Sequence, residues 1–219
     1  MQRQPKPGWV AQGRATGKRV ALLGAALASL GRAPALAGAK LDQQNPFDPQ
    51  PGGFAASITP TRTAGQTFTA GQTGALERVA VFLERDFGEP VPNGTIFLEV
   101  DSTSAAGTPR TDRPPLASSS LPIAALTQAQ GFVGFRLTHP APVTQGTVYA
   151  IILHSDVPLG ELAIIWDGSP RADPYPRGGN AQRATDAGPW TVVPQQDLYF
   201  QTFVVGSRPH RRGLAHAAG

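Results

Sequence analysis

Trp166, Tyr175 and Trp190 are the residues of this chain best suited to hold a ligand. Flat aromatic rings stack on the apolar faces of sugar rings, while neighbouring amides and carboxylates bond the hydroxyls. Tyr175 lies inside the polar stretch 167–189, with Trp166 at its start and Trp190 at its end. Asp167, Asp173, Arg177 and Asn180 lie between them and supply polar partners. The competing expectation for both tryptophans is a core role, plugging the rim of the fold under that stretch.

A second set is acidic. Asp101, Asp167, Asp173, Asp186 and Asp197 fall at strand ends or in loops, where calcium finds oxygen ligands. A structural calcium at Asp101, Asp167, Asp173 and Asp197 is therefore a candidate, although no EF-hand or repeat-type spacing occurs. Asp is also a common turn residue for purely local reasons. His139, His154, His210 and His216 are isolated, so no paired zinc ligands are expected. His154-Ser155-Asp156 contains the residue types of a hydrolytic triad as immediate neighbours, whereas a triad is assembled from separate segments. Glu77, Glu84 and Glu99 alternate outward on strands and read as solvated faces, not as a glycosidase pair. There is no G-x-S-x-G, no H-E-x-x-H and no phosphate-binding glycine loop. The expectation is a protein without catalysis.

The elements that must position these residues are β-strands. The chain carries 25 Gly and 22 Pro, and short apolar runs of period two lie between them. Strands are expected at 66–69, 76–83, 95–100, 132–137, 148–153, 162–166 and 197–205. Ala75 to Asp86 has helix formers at its ends, but its centre is β-branched and aromatic and Phe87-Gly88-Glu89-Pro90 stops it. A short helix is expected at Leu121 to Ala129. Pro92-Asn93-Gly94 and Gln145-Gly146 read as reversals. Residues 102–115 and 167–189 read as long loops, a length often functional. The fold class is all-β: a two-sheet antiparallel sandwich, jelly-roll-like, over residues 40–206.

Charge is divided by position. The net charge is +4, yet all 15 acidic residues lie between Asp42 and Asp197. Residues 1–39 carry six basic residues and no acid, and 207–219 add Arg208, Arg211 and Arg212. Residues 40–206 hold ten basic against 15 acidic residues. An acidic body with dispersed arginines argues against nucleic acid as a partner. Residues 207–219 are expected to form a disordered basic tail.

The amino-terminal segment 1–39 has the three parts of a signal peptide. A basic stretch precedes Val20 to Leu30, an uncharged apolar run, and Ala35-Leu36-Ala37 offers a cleavage site after Ala37, with Ala39 as the second candidate. Eleven residues rise roughly 16 Å, too short for a bilayer core, so no stable membrane span is expected after cleavage. The alternative is an apolar arm or a single anchor. The chain has no cysteine, so an exported body of about 165 residues must be held by its own core, which fits bacterial export better than eukaryotic secretion.

The body resembles the jelly-roll-like, carbohydrate-binding-like modules of bacterial exported and surface proteins. The residues that carry the likeness are Gln66-Thr67-Phe68-Thr69-Ala70-Gly71, Gly74-x-Leu76-x-x-Val79 and Gly146-Thr147-x-Tyr149-Ala150-Ile151. Trp166, Asp173-Pro174-Tyr175-Pro176 with Gly178-Gly179, Trp190, and Asp197-Leu198-x-Phe200-x-Thr202-Phe203-Val204 follow in order. The resemblance implies a secreted or extracytoplasmic accessory module without known catalysis, and no particular ligand. Three functions stay open: a module binding a glycan or a cell-surface partner, a structural surface or matrix protein without a small ligand, and a hydrolase with an unrecognised site.

Overall fold

Twelve strands appear among the described residues of the computed structural model, which are 38–50, 53–85, 91–127, 129–157, 164–183 and 188–206. They are β1 (Lys40–Asn45), β2 (Ala55–Ile58), β3 (Ala64–Thr69), β4 (Gly74–Arg85), β5 (Thr95–Ser102), β6 (Ala117–Pro122), β7 (Gly131–Val143), β8 (Val148–Ser155), β9 (Ile164–Asp167), β10 (Gly178–Gln182), β11 (Thr191–Val193) and β12 (Phe200–Gly206). They form two antiparallel sheets packed as a sandwich. The first runs β1-β12-β4-β9-β2, with β7 on the other edge of β4; the second runs β11-β10-β3-β8-β5-β6. Without the short strands β2, β9, β10 and β11, the first sheet reads β1-β12-β4-β7 and the second β3-β8-β5-β6, the interleaved order of a jelly roll.

Alternation along each strand creates the core. In β4, Val79, Val81 and Leu83 are buried and turn inward, and in β5 so do Ile96, Leu98 and Val100. Phe68, Phe135, Trp166 and Phe200 fill the space between the sheets. Burying each such side chain is worth about 1.5–3 kcal/mol, which lets this body dispense with disulfides.

Polar residues also enter the interior. Asp197 is fully buried; it accepts from Gln66 Nε2 at 2.9 Å and from the Tyr175 amide at 3.1 Å. Gln66 Oε1 accepts in turn from the Leu198 amide at 2.7 Å. Asn45 donates to the carbonyls of Asp197 and Leu198, and Gln43 accepts from the Tyr175 hydroxyl at 2.9 Å. This network ties β1, β3 and the chain ahead of β12 together, because each buried polar group must find a partner.

Several elements differ from the sequence expectation. Two strands precede Gln66: β1 is almost wholly polar, and its Gln43 and Asn45 point inward to hydrogen bonds where apolar residues were expected to mark a strand. The stretch 167–189 is not one loop but contains β10, whose Gly178 lies so close to β3 that an added Cβ would fall 1.9 Å from the Thr67 carbonyl. The expected helix at Leu121 to Ala129 is the end of β6 followed by one 3-10 turn, Ile123–Ala125. Asn93-Gly94 is not a turn of positive φ; Gly94 is required because a Cβ there would lie 2.7 Å from Val157 Cγ2. Gly146 does take φ +79°, in the turn that the Thr147 amide closes on the Thr144 carbonyl at 3.0 Å. Apart from Gly38 and Ala39, the expected signal peptide lies outside the described residues, as do the tail and Asp186.

Candidate functional site

The aromatic residues singled out in the sequence do not form one surface. Trp166 is fully buried in the core, and its Nε1 donates to the Tyr199 carbonyl at 2.9 Å. Tyr175 is also buried, edge-on to Phe200, with its hydroxyl bonded to Gln43. Both are therefore corrected from ligand platform to core: each ring fills the space between the sheets and each polar atom is bonded internally. Burial also raises the Tyr175 phenol to about 12. Trp190 is half-buried, donates to Thr111 Oγ1 at 3.1 Å and carries Arg183 over its ring at 4.7 Å, so it fastens the 103–115 loop. Asn180 is buried, with Nδ2 donating to Gln196 Oε1. Asp173 and Arg177 are exposed; Asp173 takes φ +51° and Arg177 lies 5.9 Å from the Tyr175 ring.

The four aspartates proposed for calcium are likewise separated. Asp101 alternates with inward Val100, which puts it on the outer face of the second sheet, whereas Asp167 alternates with Trp166 onto the outer face of the first. Asp173 sits in a surface turn, and Asp197 belongs to the interior network. No three His, Asp or Glu side chains among the described residues form a group able to hold a metal. Burial, then Glu99, raises the Asp101 carboxyl to about 7, and its Oδ2 has no hydrogen-bond partner. His154 stacks on Phe97 and lies 3.7 Å from Glu99, away from any triad arrangement with its chain neighbours.

A different constellation occupies the outer face of the first sheet. Phe82 sits between inward Val81 and Leu83, so its ring points away from the core. Directly across the ladder is Phe132, also outward, and the two rings meet edge to face at 5.3 Å. Phe47, from the segment after β1, stacks on Phe82 at 4.4 Å and 7°. Tyr199 meets both Phe47 and Phe82 edge-on. Phe47 and Phe132 remain 43% and 37% exposed, so the cluster is open to solvent on one side.

Beside this cluster lies a cleft of about 260 Å³, lined by Phe47, Asp48, Phe54, Gln130, Asp167 and Tyr199 among others. A second cleft, of about 400 Å³, shares Phe47 to Pro49 and reaches Arg171 and Pro174. The backbone around the first is closely tied: the Tyr199 amide donates to the Asp167 carbonyl at 2.9 Å and the Gly168 amide to that of Phe54 at 2.8 Å. Gly168 has no side chain because the Phe54 ring covers it; a Cβ there would lie 2.4 Å from two ring carbons. The Tyr199 hydroxyl donates to the Asp48 carbonyl at 3.1 Å, and burial raises its pKa.

The two carboxylates of the cleft differ. Asp48 is paired with Arg171 Nε at 2.5 Å. Asp167 has one carboxylate oxygen buried without a partner, and its pKa is pushed up to about 6, by burial first and by Glu84 second. Aromatic rings, the side chains of Gln50 and Gln130 and one carboxylate without a counter-ion among the described residues thus line a single cleft.

The sequence carried one sign of this site: Phe82 and Phe132 occupy positions where alternation predicts solvated side chains. Their meeting with Phe47, about 35 residues upstream of Phe82, depends on sheet pairing that no local pattern shows. No known family model matches the chain, and no curated protein is similar to it in sequence.

Proposed function

We propose that this chain is a non-catalytic, exported binding module that takes carbohydrate on the outer face of its first sheet. The supporting observation is the half-exposed Phe47 ring, seated on Phe82 at 4.4 Å beside the cleft that Asp167 and Gln130 line. A sugar ring laid on Phe47 buries its apolar face, and the amides and carboxylate reach its hydroxyls. The cleft is shallow and open, which suits one or two residues of a longer chain, and the neighbouring cleft past Pro49 extends the track. Export rests on the basic, apolar and A-x-A segments of residues 1–39.

The test is a glycan-array screen of the whole chain, followed by titration calorimetry on any hit. Phe47→Ala is expected to weaken binding about tenfold, the loss of one aromatic stacking contact. Trp190→Ala, just ahead of β11 at the edge of the second sheet, is expected to leave it unchanged. A hit that is insensitive to Phe47 but lost with Trp190 would move the site to the other sheet; no hit on any glycan would overturn the carbohydrate reading.

A further inference from the structure

The geometry points to a cationic ligand: the cleft between Phe47, Phe54 and Asp167 recognises a saccharide that carries an ammonium group, an amino sugar with its nitrogen free of acyl substitution. This deepens the carbohydrate reading above and depends on it.

The charged and titratable groups around the cleft are Asp167 and Asp48 on its wall, Glu84 beside Asp167, Arg171 and the Tyr199 phenol. Arg171 is held by Asp48, and the pair cancels. Asp167 and Glu84 are left as two like charges with no cation paired to either among the described residues, and a carboxylate oxygen of Asp167 lies buried there without any hydrogen bond. Partly buried like charges are costly, and a cation placed in the same cleft relieves both. The aromatic walls act in the same direction. Ring faces carry negative charge density, so an ammonium over Phe47 gains a cation–π contact as well as the carboxylate. A neutral sugar leaves the acidic pair uncompensated; an anionic one opposes it. The carboxyl of Asp167, raised to about 6, is an indicator of occupancy: a cation nearby lowers it, and protonation of Asp167 weakens the cation's hold.

The experiment is titration calorimetry of the full chain with three tetrasaccharides of one backbone: a glucosamine tetramer, its N-acetylated form and its N-trimethylated form, whose charge does not titrate. At pH 7.5 the trimethylated tetramer is expected to bind at least tenfold more tightly than the acetylated one. Lowering the pH to 5.0 is expected to weaken it roughly tenfold, with a midpoint near 6. Asp167→Asn, which preserves shape, is expected to abolish both the preference and the pH dependence. Glu84→Gln, outside the cleft lining, is expected to keep binding but shift the midpoint downward, because Glu84 helps to raise Asp167. Equal binding of acetylated and trimethylated tetramers, sensitive to Phe47→Ala, would overturn the cationic inference and leave the carbohydrate site standing. Binding of no saccharide, charged or neutral, would overturn both.

Discussion

Trp166 and Tyr199 are joined through the first sheet: the indole Nε1 of Trp166, inside the core, donates at 2.9 Å to the carbonyl of Tyr199, whose ring lies among the outer aromatics. The same carbonyl accepts from the Phe82 amide at 3.2 Å. The core tryptophan therefore sets the backbone that carries two walls of the exposed cluster. Trp166→Phe removes the bond and leaves a void. We expect a loss of about 1–2 kcal/mol, or roughly 2–8 °C in Tm for a body of this size. Thermal unfolding checks it, and an unchanged Tm would show that the bond contributes nothing.

Tyr175→Phe separates a core role from a ligand role. The hydroxyl donates to Gln43 inside the sandwich at 2.9 Å, so its removal should lower stability by about 1 kcal/mol while any saccharide affinity stays constant. Calorimetric titration alongside a denaturant melt reads both quantities.

Asp101 gives a stability that depends on pH. Its folded pKa of about 7 lies above the usual 3.8, so the stabilising proton is bound below pH 3.8 and its contribution is lost as pH rises through 7. Asp101→Asn carries no charge at any pH. The variant should match the native protein near pH 3.5 and exceed it at pH 8, by about 4 kcal/mol at most. Paired urea melts at the two pH values decide; a gap that narrows toward pH 8 would contradict it.

Asp197 cannot be replaced quietly. Asp197→Ala leaves Gln66 Nε2 and the Tyr175 amide without their acceptor in the interior, a loss of about 2–5 kcal/mol. Asp197→Asn keeps one acceptor but aims an amide donor at a second donor, so it should also destabilise. Comparable Tm values for either variant and the native chain would argue against the network.

Gly168→Ala drives a methyl into the Phe54 ring and should cost about 1–3 kcal/mol. Combined with Phe54→Ala the clash disappears, so the double variant should be more stable than the sum of the single losses. A double-mutant cycle measures that coupling; additive losses would mean that the ring simply swings aside.

Residue order alone specifies the all-β class and most of the jelly-roll strands, because the period-two burial of β5 and β7 and the apolar β-branched runs of β4 and β8 are local properties. It also determined the charge division and the lack of disulfides. It left β1, β2, β6, β10 and β11 unseen; the residues of β1 and β10 serve interior hydrogen bonds and close backbone approach, which have no periodicity. Which aromatics reach the surface is set only by the tertiary structure. Trp166 and Tyr175 look like a binding platform in one dimension, yet the pairing of β9 with β4 turns Trp166 inward and the interior network holds Tyr175. Phe47, Phe82 and Phe132 stand far apart in the chain, and they become a surface because β4 and β7 pair side by side and the segment after β1 folds over them.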